Sequence, residues 1–480
     1  MNARSPVPVP SWPAEFRSTL ALSWPLILGQ VSQRLIVIVN VVMMGHLGAR
    51  ELAAGTLALA VVNPLMLCFG GVLTAVAPLT AQAIGSGDTS GGRVYFQQGL
   101  WLCALLSAVS VPLLYHADAA LAFLRQDAGL VPVAGQYAAT LCLVLPSYML
   151  TLVARNFLAA HGLTHFALAT LIAGAALNFV LCSFIVADFW GLAGLGLPGI
   201  GYATAISNAA VAVVLMLYIA LSPRMASVSA YSGAVRLDTA ALKALAWIGF
   251  PIGGAILLEV AFFSASSLLM GHQGETVLAA YALSGQLNGL AFAIPTGIGI
   301  AAMVRVGWAY GAGSLAAVTR ACLSAIALGL VIAAGVGLLY ALFPVAFISL
   351  FLDRTLPENQ PVVATAIVFL HIVAVMQIFD ALQGIVSHVL RGLSDTVVPL
   401  LLVLMGYWAF GFPASLVLAN VAGLGGNGVY LGLSIGVAIV SVVLTARLAQ
   451  RLAGLRTGTA GGMPGPAATP AVSGTEIENH

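Results

Sequence analysis

"MGHLGARELAAGTL", residues 44–57, and "MGHQGETVLAAYAL", residues 270–283, are one segment written twice. Sliding the chain against itself by 226 residues brings Met44-Gly45-His46 onto Met270-Gly271-His272 and Gly48 onto Gly274, with eight identities in fourteen positions. The register holds on both sides, placing Pro25 on Pro251 and Gly85 and Gly87 on Gly311 and Gly313. After a small shift, Gly162-Leu163 falls on Gly392-Leu393, and Ala193-Gly194-Leu195-Gly196 on Ala422-Gly423-Leu424-Gly425. The chain is a duplication, and its fold is that of one unit built twice.

The unit is a bundle of membrane helices. Of 480 residues, 61% are hydrophobic and 7% charged, against about a quarter charged in a soluble domain. Apolar runs long enough to cross ~30 Å of hydrocarbon as a helix recur along the chain. They do not alternate as barrel strands do. Twelve spans are expected, centred near residues 32, 68, 104, 142, 174, 211, 255, 291, 329, 373, 407 and 438. Six spans per half is an even number, so the halves share orientation about an axis along the membrane normal, a transporter pattern. The expected organisation is an N-terminal tail over 1–14, an N-lobe over 15–222, a linker over 223–240, a C-lobe over 241–453 and a disordered tail over 454–480, rich in Gly, Pro, Ala and Thr.

Charge sets the orientation. Arg4, Arg17, Arg93, Arg155, Arg224, Arg236, Lys243, Arg305, Arg320, Arg391, Arg447, Arg451 and Arg456 are assigned to the side bearing the termini, and only Arg50, Arg125 and Arg354 to the other. The positive-inside rule then places both termini in the cytoplasm of a plasma membrane, here a bacterial inner membrane. The first apolar run lacks the cleavage pattern of a signal peptide and is expected to remain as a helix.

Several function classes fall away. A net charge of +2 without a basic patch argues against nucleic acid. "GLGLPG" (194–199) and "GLGGNG" (423–428) have dinucleotide-fingerprint spacing but do not join a strand to a soluble helix, so they are expected to be tight connections. No Walker A sequence occurs, which leaves an ion gradient as the energy source and no organic cofactor. Cys68, Cys103, Cys142, Cys182 and Cys322 are scattered singly and are expected to pack rather than pair or bind metal. An intramembrane enzyme would need a nucleophile or metal cluster at mid-span, and none is evident.

Polar residues inside the spans carry the remaining information, because a carboxylate at the bilayer centre costs at least ~2.5 kcal/mol and marks an ion or substrate path. Glu259 interrupts "GAILLEVAFFSA" (254–265), with Ser266 on its face. Gln377, Asp380, Gly384 and Ser387 form one stripe of the tenth span, and Tyr281, Ser284 and Asn288 one stripe of the eighth. No Lys or Arg lies within a turn of either carboxylate in the sequence. The repeat maps Glu259 onto Gln33 and Ser266 onto Asn40, so the N-terminal half carries an uncharged version of that face, beside Arg34. Arg34 is expected to pair with a carboxylate across a cavity or to extend along its helix. Asn178 either lines the N-terminal half or bridges helices, and His371 is left as a satisfied core group.

"WPLILGQVSQRLIVIVNVVMMGHLG" with "ELAAGTLA", and "GFPIGGAILLEVAFF" with "VRVGWAYGAG", resemble the multidrug and toxic compound extrusion (MATE) family, in its NorM-like branch, over roughly residues 15 to 453. The resemblance implies two lobes around a central cavity and export of lipophilic, often cationic compounds in exchange for Na⁺ or H⁺ by a monomer. It implies that Glu259 and Asp380 match the C-lobe cation site, with Na⁺ as a candidate ion. It makes Gln33, Arg34, Asn40, Asn178, Tyr281, Ser284, Asn288 and Gln377 cavity candidates. Many relatives have Asp where this chain has Asn40, and an amide does not titrate, so coupling is expected to rest on the C-lobe. The alternative within the superfamily is a flippase for a lipid-linked precursor.

Overall fold

A computed structural model describes residues 11–123, 126–127, 129–189, 194–226, 228, 230–231 and 236–457. Among them twelve helices are long and apolar enough to span a membrane. They are α1 (Trp12–Leu47), α2 (Ala49–Ser86), α3 (Ser90–Tyr115), α4 (Val131–Ala160), α5 (Thr164–Val186), α6 (Gly196–Leu221), α7 (Thr239–His272), α8 (Glu275–Gly311), α9 (Leu315–Leu342), α10 (Pro357–Gly392), α11 (Val397–Val421) and α12 (Gly425–Thr457). No strand occurs among the described residues, as a bilayer that offers backbone groups no water requires.

The twice-written segment makes the sharp turn that pairs α1 with α2 and α7 with α8. Gly48 and Gly274 take φ of 147° and 109°, a region that a Cβ disfavours. His46 and His272 each bring Nδ1 to the carbonyl four residues back, at 2.9 and 2.8 Å. Met44 and Met270 are fully buried beneath the turns. The glycine runs before α6 and α12 are turns as well, with positive φ at Gly196, Gly423 and Gly425.

Two large hydrophobic cores result, with a smaller one around Leu22, Leu26, Ala77, Ala81, Ile300 and Val304 between the halves, and the helices leading each half cross between the large ones. Leu245, Ile248 and Ile252, early in α7, belong to the first core, whereas Phe262 and Met270, late in the same helix, belong to the second. Likewise the first turns of α1 lie on the C-terminal half. Glu15, only 2% exposed, accepts from Arg305 Nε and Nη2 at 3.0 and 2.6 Å. Thr19 bonds Ser324 at 3.3 Å, and Trp12 lies under Arg320. α1 starts at Trp12, inside the expected tail, because Ser11 is extended and Pro13 suits a first turn. α12 continues to Thr457, and the remaining tail residues, 1–10 and 458–480, lie outside the described residues.

The linker is fastened to the first half rather than slung between the two. Gln97 donates to the Ala230 carbonyl at 3.1 Å, and Gln98 to that of Arg236 at 2.9 Å. Asp238 then caps α7 by accepting from the Ala241 amide.

The halves meet about a pseudo-twofold axis that follows the 226-residue register. A Cβ on Gly85 would collide with the carbonyl oxygen of Trp308, and one on its register mate Gly311 with that of Gln82, the mate of Trp308. Ala81 faces its own mate, Gly307. Further along, Gly71 lies against Gly253, and Gly297 against Ile27, again an exchanged pair. Hydrogen bonds repeat the exchange. Gln82 Nε2 donates to the Gly392 carbonyl and to Ser394 Oγ, both at 2.9 Å, and Trp308 Nε1 donates to the Ala160 carbonyl at 2.9 Å. All of these contacts lie toward the face where α1 begins and α12 ends, so the halves are closed at the terminus side.

Because backbone meets backbone at this seam, Gly85→Ala and Gly311→Ala are expected to separate the ends of α2 and α8. Spin labels at Ser90 and Ala316 report the change, and a distance distribution identical to the parent protein's in both variants contradicts the seam.

Candidate functional site

Glu259 and Asp380 converge in the C-terminal half, from the middle of α7 and α10. Asp380 is 2% exposed and Glu259 half-buried, and their charges are near enough to interact. Neutral oxygens and amides surround them. Asn288 on α8 lies close to Asp380 and accepts from Gln377 Nε2. Gln383, one turn beyond Asp380, lies near Glu259 and accepts from the Tyr407 hydroxyl at 2.7 Å. Tyr407 is stacked on Phe262, with centroids 4.6 Å apart. Next to it, Trp408 Nε1 donates to the Leu258 carbonyl at 3.2 Å, holding the turn that bears Glu259.

The side chains of α11 reach the site because this helix is wound unusually. Met405–Gly411 and Val417–Val421 are π-helical, and such widened turns often occur at functional sites. The stripe on α8 points the same way. Tyr281, Ser284 and Asn288 are buried in the second core side, and the Tyr281 hydroxyl donates to the Phe263 carbonyl at 3.2 Å. Gln377, Asp380 and Asn288 are therefore brought together, with Ser284 and Tyr281 one and two turns along the same stripe of α8.

Arg391 stays on the terminus side to which the sequence assigned it, but not in a loop: α10 runs to Gly392, which puts Arg391 in its last turn. There its charge acts on Glu259, and its Nη1 lies 3.3 Å from His388 Nε2. Arg155 and Arg305 are likewise inside α4 and α8. Arg125 lies outside the described residues. His371 is exposed rather than a core group, and its Nδ1 lies 2.7 Å from the Ile367 carbonyl of its own helix.

In the N-terminal half the expected residues meet around one hydroxyl. Asn40 Nδ2 and Asn178 Nδ2 donate to Thr204 Oγ1 at 3.0 and 3.2 Å, and Thr204 itself donates to the Ile200 carbonyl. Cys182 Sγ lies 3.8 Å from Asn40 Oδ1. Among the described residues, Asn178 Oδ1 and the Tyr137 hydroxyl have no partner though fully buried. Gln33 is not part of this group. Its Oε1 accepts from Arg155 Nη1 at 3.0 Å, bracing α1 on α4. Arg34 pairs with no carboxylate among the described residues, contrary to the pairing the sequence suggested, and lies instead against Gly289 of α8.

No group of three or more His, Cys, Asp or Glu side chains suited to a metal occurs among the described residues. A cation at the carboxylate pair would therefore draw its other ligands from Asn288, Gln377, Gln383 and tyrosine oxygens, which suit a hard ion such as Na⁺.

A duplicated twelve-helix bundle with a buried and a half-buried carboxylate in one half has the build of a membrane transporter. Residues 25–184 and 251–417 each match the MatE family, and the two matches begin at Pro25 and Pro251, the prolines the repeat superposes. The chain is 35% identical over 427 residues to a probable multidrug resistance protein NorM of Brucella suis biovar 1, covering 88% of this chain and 90% of the relative. It is 34% identical over 438 residues to the protein so described in Mesorhizobium japonicum, covering 90% and 93%. Among solved structures, the eukaryotic MATE transporter AtDTX14 superposes with a TM-score of 0.83 at 23% identity, over 93% of this chain and 99% of that one. An outward-facing multidrug resistance MATE family transporter gives 0.84 at 21%, over 92% and 97%. The chain belongs to the MATE family.

Thr204 accepts from both amides, so Thr204→Val removes the hydroxyl at nearly constant volume and strands two buried donors. A loss of about 1–3 kcal/mol is expected, visible as a lower Tm in detergent. An unchanged Tm contradicts the shared acceptor.

Proposed function

We propose that this chain is a secondary multidrug efflux transporter that exports lipophilic compounds in exchange for Na⁺ or H⁺ by alternating access, with Glu259 and Asp380 holding the coupling ion. The convergence of these two carboxylates in the second half carries the reading. Relatives at about a third identity are described as multidrug resistance proteins, and no carboxylate occupies the corresponding place beside Asn40, Asn178 and Thr204.

Two acids sharing a low-dielectric site do not both stay ionised without compensation. Arg391 supplies part of it, and a bound cation or proton supplies the rest. Ion occupancy therefore changes the charge balance among α7, α8 and α10, and those helices also carry the terminus-side seam through Gly253, Trp308 and Gly392. Alternating access then consists of parting that seam while the opposite side closes. A ligand shifts such an equilibrium only by its differential affinity for the two states, and a site whose net charge depends on ion binding provides one.

The chain would lie in the bacterial inner membrane as a monomer, with both termini in the cytoplasm. Arg155, Arg305 and Arg391 lie near the terminus-side ends of their helices, so thirteen basic residues against three still favour that orientation. Closure at the terminus side then corresponds to an outward-facing state. Cysteines at Arg50 and Arg354 are expected to react with an impermeant reagent from outside, and one at Ala226 is expected not to. The opposite pattern reverses the assignment.

Gradient-driven efflux from proteoliposomes, with Na⁺ and H⁺ gradients imposed separately, tests the mechanism. Folded Glu259→Gln and Asp380→Asn are each expected to lower coupled efflux by at least about tenfold. Parent-level efflux with unchanged ion dependence in both variants overturns the assignment.

A further inference from the structure

The charge inside a span that the coupling site leaves unused is Arg34. On α1, Ile27 is pressed against Gly297 of α8, and two turns further from the closed seam Arg34 reaches Gly289 of the same helix. The Arg34 Nη1, Cζ and Nη2 atoms lie 3.4, 3.6 and 3.6 Å from where a Gly289 Cβ would stand, so the guanidinium is laid over the glycine. Tyr281, Ser284 and Asn288 turn into the second core, whereas Gly285 has open space where a side chain would be. The face of α8 toward Arg34 is thus smooth and unobstructed. Arg34 itself is exposed, and no carboxylate among the described residues pairs with it.

The duplication makes this placement pointed. The register sets Gln33 against Glu259 and Arg34 against Val260, so equivalent helices carry charges of opposite sign at adjoining positions. In the first half the neighbouring ionisable group is again a guanidinium, Arg155, held on Gln33. In the second half Glu259 has a cation of its own nearby, Arg391. The gap is therefore electropositive along α1 and acidic deep in the second half. A guanidinium at membrane depth is costly unless it meets water or an anion, and its planar fork fits an oxyanion with two parallel hydrogen bonds.

We propose that Arg34 is a substrate-recognition residue, receiving the carboxylate of an amphiphilic substrate in the gap between α1 and α8 while the apolar body lies along the glycine face of α8. The proposal rests on the efflux reading and sharpens it, since it selects lipophilic acids and zwitterions over purely cationic compounds.

The test uses a lipophilic rhodamine carboxylic acid and its methyl ester, which share one ring system and differ in the anion. Full-length protein in proteoliposomes is expected to export both, with Arg34→Gln lowering acid efflux at least about tenfold and ester efflux less than about twofold. Arg34→Lys is expected to recover part of the loss, as a point charge without the fork. Fluorescence anisotropy in detergent is expected to show the same acid-selective weakening of binding, independently of transport. Equal losses for both dyes, or none for either, overturn the proposal, as does an Arg34→Cys variant that a water-soluble thiol reagent does not label. Parent protein that moves neither dye overturns the efflux reading, while acid-selective binding by that same protein still upholds the role of Arg34.

Discussion

Gly85 and Gly311 let two helices touch backbone to backbone, and much of the architecture depends on that contact. With no side chain between them, the ends of α2 and α8 approach until the carbonyls of Trp308 and Gln82 fill the places a Cβ would take. Lipid tails are as apolar as leucine, so association inside a membrane comes from close packing and hydrogen bonds rather than from expelling water. Small residues at the seam supply the first, and the crossed bonds from Gln82 and Trp308 the second. The buried Glu15–Arg305 pair adds a tie without a twofold counterpart.

The same geometry ties the two halves to each other. α1 and α7 start on one core and finish in the other, so neither half can tilt without dragging the leading helix of its partner. Since α7 also carries Glu259, a change of charge at the carboxylate pair is felt along a helix that reaches the seam. α10 makes a parallel link. Asp380, Gln383 and Arg391 follow one another down a helix whose end accepts the hydrogen bond from Gln82.

The scaffold obeys the pseudo-twofold axis and the chemistry does not. Where the second half gathers Glu259, Asp380, Gln383 and Tyr407, the first gathers Asn40, Asn178 and Thr204, which bond one another and carry no charge. Arg34 has no charged mate, because the register puts Val260 opposite it. A duplicated frame thus gives equal mechanical roles to both halves and leaves each polar position free to diverge.

The sequence alone determined the number of spans, the duplication and its axis, and it singled out the two mid-span carboxylates. Each of these follows from a local or repeating property: apolar length against bilayer thickness, identity at a constant offset, or a charge where charge is costly. Thr204, Gln383, Tyr407 and Arg391 joined the candidate sites only in three dimensions. Thr204 sits in an ordinary helix, and only packing shows that two amides from α1 and α5 converge on it. Tyr407 lies in a π-helical turn, which shifts the phase of every later side chain, so a 3.6-residue pattern does not tell which way it points. Arg391 counted as a loop charge until α10 was seen to run to Gly392, although the Gly392-Leu393 match to Gly162-Leu163 already marked where that helix stops. Which faces of distant helices meet is set by crossing geometry and by glycines that permit close approach, and that is a property of pairs of helices that no single segment carries.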